Sequence, residues 1–455
     1  MSVLFILFIL VSAVTILLFL VLKLRISAFI SLLLVAIYVG IITGMPLKSI
    51  LDSIQQGMGS TLGFVAVVVG LGAIFGQILE SSGGAEVLAH HLVNKFGNKK
   101  ASWAMMLTGF IVAIPVFFDV GFIILVPLLY ALARDTKKSL LYYAIPLLAG
   151  LAVTHSFIPP TPGPVAVAEI IDVSLGWVIL FGFLLGIPTA ILAGPVFGKY
   201  IAAKIAVSIP NEALSHVDTK DNISKDRLPS FYLIISIIGI PLLLIVLSTV
   251  TDLFVKLNTI SSSLLTDTIV FCGHPFTALI IATLMAVYFL GIRTGKSRHE
   301  ILRLSTKSLG PAGIIILITG AGGVLKQMLI DSGIGYVLAN SIAGSSISPI
   351  LLAWLLAALV RITQGSATVS MITAAGIIAP VLEVLNVSEI DRALIVLAIA
   401  SGATILSHVN DSGFWLVGKY LGLTEKQTLQ SWTVMETIIA VCGLVFCLIA
   451  SALIK

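Results

Sequence analysis

The stretch Gly150 to Pro164 reads GLAVTHSFIPPTPGP inside an otherwise apolar run, and its reading decides the fold. Pro159, Pro160, Pro162 and Pro164 each lack an amide donor, so a continuous helical ladder cannot pass through them. In a bilayer, non-helical backbone persists only where protein or a water-filled cavity surrounds it. The stretch therefore predicts a helix broken at membrane depth, with His155, Ser156 and Thr161 around the break. A second interrupted stretch, Ala400 to Trp415, reads ASGATILSHVNDSGFW, and Gly163 falls on Gly413 at an offset of 250 residues. Broken helices in corresponding halves point to the binding site of a transport protein.

Working outward, 58% hydrophobic and 10% charged residues with a mean hydropathy of +1.14 exclude a soluble globule. The first apolar run, Ser2 to Leu22, has no basic residue ahead of it and no small-residue cleavage pattern, so it reads as a retained span. The formal net charge of +5 lies in short loops between spans, where it reports orientation and not a nucleic-acid partner. Cys272, Cys442 and Cys447 have no metal-ligand spacing, so no disulfide framework, metal or cofactor is expected.

The fold class expected is an all-α polytopic membrane protein. Residues 1–203 form a first repeat: spans Ser2–Leu22, Ile26–Gly44 and Ser60–Leu79, an apolar run 101–130, a broken helix 140–171 and a sixth span from Leu175. Met45–Gly59, ahead of the third span, reads as amphipathic and nearly neutral. The run 101–130 has basic residues at both flanks and is expected to enter and return as a re-entrant hairpin, with Phe117-Phe118-Asp119-Val120-Gly121 near its tip. Residues 204–229 form a polar cytoplasmic connector. Residues 230–455 form a second repeat: two spans, a basic loop Arg293–Lys307, a span 309–330, a hairpin 350–381, a broken helix 391–420 and a last span. The segment Gly76-Gln77-Ile78-Leu79-Glu80-Ser81-Ser82-Gly83 aligns with Lys326-Gln327-Met328-Leu329-Ile330-Asp331-Ser332-Gly333, again 250 residues on.

Placing the loops near 23–25, 95–100, 134–138, 199–227, 293–307 and 419–426 inside accounts for 20 of the 26 Lys and Arg. Repeat 1 then begins outside and repeat 2 inside, so the repeats are inverted and both termini lie outside. Inverted repeats whose broken helices meet at mid-depth are the architecture of secondary transporters.

A charged side chain at bilayer depth costs at least about 2.5 kcal/mol, so each one needs a partner or a task. Arg361 is the one basic residue in the second hairpin, and its guanidinium fork matches a carboxylate, so it is expected to grip an anionic substrate. The competing reading is a structural ion pair with Asp119 or Asp411. Asp119 at a hairpin tip and Asp411 in a helix break are the expected proton carriers, with His155 and His408 sharing the proton; the competing reading for each histidine is a satisfied packing residue. Ser156, Thr161, Gly163, Gln364, Gly365, Ser366, Thr368, Asn410 and Ser412, with Ser407, cluster at the breaks and offer donors and acceptors to substrate hydroxyls. They equally satisfy broken backbone.

Five motifs resemble the gluconate:proton symporter (GntP) family of bacterial permeases, within the ion transporter superfamily. They are Gly44-Met45-Pro46-Leu47, Phe117-Phe118-Asp119-Val120-Gly121-Phe122, Pro159-Pro160-Thr161-Pro162-Gly163-Pro164, Gln364-Gly365-Ser366-Ala367-Thr368-Val369 and Ser407-His408-Val409-Asn410-Asp411-Ser412-Gly413-Phe414-Trp415. The resemblance covers essentially the whole chain. It implies uptake of a small anionic hydroxy acid with a proton across the bacterial inner membrane, by an elevator-type scaffold plus transport domain, as a homodimer. The sequence departs from the family pattern at Asp119, where glutamate is common, and at Thr161, where histidine is common, so the particular sugar acid is left open. D-serine or glycerate, or sodium coupling, stand as alternatives within transport. An intramembrane hydrolase is the alternative from another class, offered by Ser156 beside His155 and Ser407 beside His408; adjacent helical residues project about 100° apart, which argues against either pair.

Overall fold

The computed structural model describes residues 3–210, 228–343 and 348–454, and among these every regular element is helical. The first half contains α1 (Val3–Leu18, extended by a π-turn), α2 (Ala28–Ile42), α3 (Leu47–Ser81), α4 (Gly84–Phe96), α5 (Ala101–Val112), α6 (Phe118–Thr136), α7 (Leu141–Phe157), α8 (Pro162–Ile171), α9 (Leu175–Ile191) and α10 (Phe197–Lys204). The second contains α11 (Phe231–Lys256), α12 (Leu264–Gly273), α13 (Pro275–Ala286), α14 (Arg298–Asp331), α15 (Ile334–Ala343), α16 (Pro349–Gln364), α17 (Ala367–Val384), α18 (Glu389–Gly402), α19 (Ser412–Leu421), α20 (Glu425–Thr428) and α21 (Val434–Ile454). Most of the connector expected at 204–229 lies outside the described residues. Nine helical segments among the described residues are long and apolar enough to cross a bilayer, so the chain is a multi-pass membrane protein.

The two halves repeat their element boundaries. α3 ends at Ser81 and α14 at Asp331, 250 residues apart, and each is followed by a glycine, Gly83 or Gly333, at φ +74°. A left-handed residue ends an α-helix without steric cost when it is glycine. α8 and α19 begin at Pro162 and Ser412 and end on Asp172 and Gly422, both left-handed, at the same offset. The long helices α3 and α14 pack side by side and run antiparallel. Ser53 Oγ, near the start of α3, donates to Asp331 Oδ2 at the end of α14 at 2.6 Å, while Lys296 Nζ, just before α14, donates to Ser81 O at 3.0 Å. Between these ends Gly57 and Gly323 let the backbones touch: a Cβ on Gly57 would lie 2.6 Å from Gly323 O.

Both long helices differ from the sequence reading. The stretch 45–59 is continuous with the span that follows it in α3, and most of the basic loop 293–307 is the first part of α14. Hydropathy reads where the bilayer begins, whereas Lys48, Asp52, Gln55 and Gln56 are ordinary residues for a helix that continues beyond it. At 35 residues, α3 is about 50 Å long, well over the hydrocarbon thickness.

The break in the first hairpin candidate also moves. The non-helical link runs over 113–117 around Pro115, and Asp119 and Gly121 lie in the first turns of α6. Proline removes a donor, whereas Gly121 keeps its amide and donates to Phe117 O at 2.9 Å. In the second, the turn falls at Gly365, at φ +83°, and Ser366 caps α17 by accepting from Val369 N. The Pro-rich break is where the sequence puts it: Ile158 is extended, as a residue ahead of proline prefers, and α8 opens with Pro162 in its first turn. α7 and α18, which lead into the two breaks, are buried along almost their whole lengths.

Candidate functional site

The second break is a nine-residue link, 403–411, between α18 and α19. It is stitched to the end of α16. Asn410 Nδ2 donates to Ile362 O at 3.0 Å and Thr363 O at 3.3 Å, and His408 Nε2 lies 3.0 Å from Ile362 O. These contacts satisfy carbonyls that the helix end leaves open. Gly365 is required here, because a Cβ would sit 2.2 Å from Asn410 O.

Asp411 caps α19, its Oδ1 accepting from Gly413 N at 3.0 Å. Its Oδ2 accepts from Arg361 Nη2 at 2.5 Å and from Ser407 Oγ at 2.5 Å. Ser407 Oγ in turn accepts from Trp432 Nε1 at 2.6 Å, and Ser407 O from Thr433 Oγ1. Arg361 is 4% exposed, so this ion pair is shielded from bulk water and electrostatic interactions around it are strong.

The arginine is not saturated. Its Nε and Nη1 are buried without a hydrogen-bond partner, and Gln364 Oε1 and Asn410 Oδ1 nearby are also unpartnered. A buried unsatisfied polar group costs about 1–3 kcal/mol, so four in one cluster make this the candidate site.

The first half closes on this cluster. Asp119, exposed in the first turn of α6, interacts electrostatically with Asp411. Phe118 packs on Trp432 with ring centroids 5.4 Å apart, and Phe117 lies edge-on to His155 at 6.2 Å. His155 Nδ1 and Thr154 Oγ1 are buried and unpartnered.

Of the residues singled out from sequence, Arg361, Gln364, Gly365, Asn410, Asp411 and His408 share this cluster, with Ser366 capping the helix that follows. Asp119 and His155 approach it from the first half. Thr161 and Gly163 belong to the other break: Thr161 Oγ1 donates to Ile158 O at 2.7 Å, and a Cβ on Gly163 would meet Met371 Sδ of α17 at 2.8 Å. Ser156 is buried in α7, Thr368 is half-buried in the first turn of α17 and Ser412 is exposed at the start of α19. The sequence reading missed Trp432 and Glu436. Glu436 is 3% exposed and interacts with both Arg361 and Asp411. The signal was present, as a lone acidic residue inside the last apolar span.

A multi-pass helical bundle with interrupted helices and a buried, unsaturated arginine fits a membrane transporter for a small substrate. The chain belongs to the GntP family permeases, whose family pattern it matches over residues 4–454. It is 40% identical over 445 residues to the low-affinity gluconate transporter of Escherichia coli K12, covering 98% of each chain. It is also 40% identical over 449 residues to the Gnt-II system L-idonate transporter of the same strain, covering 98% of this chain and 99% of that one. These relatives are transporters and not enzymes. Among solved structures, its fold is similar to that of Neisseria gonorrhoeae MtrF, an antimetabolite efflux pump, with a TM-score of 0.64 at 15% identity over 88% of this chain and 84% of that one.

Proposed function

We propose that the protein imports gluconate or a closely related sugar acid by proton symport. The observation that carries this reading is the open side of Arg361: one nitrogen is held by Asp411 while Nε and Nη1 have no partner. Each of those nitrogens forms an edge of the guanidinium with Nη2, and because Asp411 takes Nη2 through one oxygen only, one edge keeps two donors that match a carboxylate bidentately. Gln364, Ser366, Thr368, Asn410 and Ser412, with Ser156, Thr161 and Gly163 at the other break, supply the polar surroundings for a polyhydroxylated chain. Relatives named for gluconate and L-idonate transport support that substrate class.

A proton travelling with a monoanion makes the step electroneutral, which removes the cost of bringing negative charge against an inside-negative potential. Asp119, Asp411, His155 and His408 form the proton-handling set. The two halves, 1–203 and 230–455 joined by 204–229, act as inverted repeats; the antiparallel pairing of α3 with α14 supports this. The segments 101–130 and 350–381 serve as re-entrant hairpins in an elevator-type transport domain. The protein works as a homodimer in the bacterial inner membrane with both termini outside.

The test is uptake of labelled gluconate into proteoliposomes under an imposed pH gradient, with unlabelled gluconate, L-idonate, glycerate and D-serine as competitors. Saturable uptake driven by an acidic exterior and competed by the aldonates is expected. Uptake driven by a sodium gradient alone, or competition by D-serine alone, would overturn it.

A further inference from the structure

Glu436 lies in the first turn of α21, one turn beyond Trp432 and Thr433, both of which bond Ser407. Residues 432, 433, 436 and 440 share one helical face, and that face is turned to the second break: Thr404 Oγ1 donates to Glu436 O at 3.4 Å, and Trp354 Nε1 to Ala440 O at 3.0 Å. The Glu436 side chain, 3% exposed, is thus placed beside the Arg361–Asp411 pair, and it interacts with both.

The charges facing Glu436 can be taken element by element. α16 contributes Arg361 and the link before α19 contributes Asp411, while His408 of that link is turned to Ile362 O and His155 lies in the last turn of α7, which also packs on α21. α9 carries no ionisable side chain. The ionisable residues of α18 are Glu389, Asp391 and Arg392 in its first turn, where Asp391 meets Ser451 at the far end of α21. One guanidinium therefore faces two carboxylates, Glu436 at 3% exposure and Asp411 at 12%. Asp411 is held by Arg361, Ser407 and the Gly413 amide, and taking up a proton would disrupt those contacts. Glu436 has no such set of charge-stabilising bonds among those found in the structure.

If a substrate carboxylate docks on the open edge of Arg361, three negative groups would share one positive charge in a water-poor site. An uncompensated buried charge is expensive enough that the group neutralises instead. Resting on the symport reading above, we infer that Glu436 joins the proton-handling set as the group that holds the coupled proton while the anionic substrate is bound, with Asp119 on the route by which that proton arrives. The proton adds to the Glu436 carboxylate to give the neutral acid, and it returns to water on the cytoplasmic side when the anion leaves; no other bond is made or broken.

Gluconate binding is measured on the purified protein by calorimetry across a pH series, for wild type, Glu436→Gln and Glu436→Asp, with proteoliposome uptake alongside. In wild type, affinity weakens by about tenfold per pH unit on the alkaline side, the limit for one proton taken up with the ligand. Glu436→Gln, permanently neutral, binds with an affinity that changes less than about twofold over the same series, and its vesicles equilibrate gluconate without concentrating it. A wild-type pH slope retained in Glu436→Gln would overturn this inference alone. Absence of gluconate binding, or of any pH slope, in wild type would overturn the symport reading and this inference with it. If Glu436→Gln does not insert, Glu436→Asp decides: a displaced pH midpoint supports the assignment and an unchanged profile overturns it.

Discussion

Trp432 Nε1 donates to Ser407 Oγ at 2.6 Å, and Ser407 Oγ lies 2.5 Å from Asp411 Oδ2, so the last span is tied through one hydroxyl to the carboxylate that pairs with Arg361. Trp432→Phe removes the donor and keeps most of the ring that packs on Phe118. Leaving a buried acceptor unpaired costs about 1–3 kcal/mol, and the Ser407 hydroxyl becomes free to leave Asp411. The expected result is roughly a tenfold loss of apparent gluconate affinity with normal insertion, read from uptake kinetics and from the amount of protein in the membrane.

Arg361→Lys keeps the positive charge and removes the fork. The lysine reaches Asp411 as a point charge but cannot present two parallel donors to a carboxylate. Uptake should fall at least about tenfold, and Arg361→Ala should abolish it. Near-normal uptake by Arg361→Ala in correctly inserted protein would remove the proposed anion site.

Asp119→Asn should spare exchange of labelled for unlabelled gluconate while stopping accumulation under a pH gradient, because Asp119 is the accessible acidic group interacting with Asp411. Asp411→Asn should lower both, since the same substitution also leaves Arg361 without its ion-pair partner. Measuring exchange and accumulation on the same vesicles separates the two roles.

Gly109→Ala tests the packing that holds α5 on α7. A Cβ there would lie 2.3 Å from Leu147 O and 3.0 Å from Leu151 N, and both are backbone atoms that cannot rotate away. Overpacking of this kind costs about 1–3 kcal/mol. A fall of several degrees in thermal stability in detergent is expected; unchanged stability would show that the two helices separate easily.

Inversion of the halves is tested by labelling. In a variant whose Cys272, Cys442 and Cys447 are replaced, Lys99→Cys should react with a membrane-impermeant thiol reagent only from the cytoplasmic side. Asn340→Cys should react only from outside. Labelling of both from one face would end the inverted-repeat proposal.

The sequence carried the large features because they rest on local chemistry. A run of prolines cannot be helical wherever it sits, so the break after Phe157 was legible, and the matching Ser-Gly pairs at 82–83 and 332–333 marked where α3 and α14 end. What misled was the use of polarity as a marker of helix ends: α3 and α14 run on into polar sequence, and the first-hairpin break sits at Pro115, not around Gly121.

By itself, then, the sequence determined a membrane-embedded helical chain with two interrupted helices and an arginine that had to have a task, because hydropathy, missing amides and the cost of buried charge act through each residue's own structure. Only the tertiary structure decided that Asp411 holds one edge of Arg361 and leaves another open, and that Glu436 and Trp432 from the last span complete the cluster. Those relations join residues 25 to 75 positions apart in the chain, and no local propensity records which buried polar group will find its partner and which is left for a ligand.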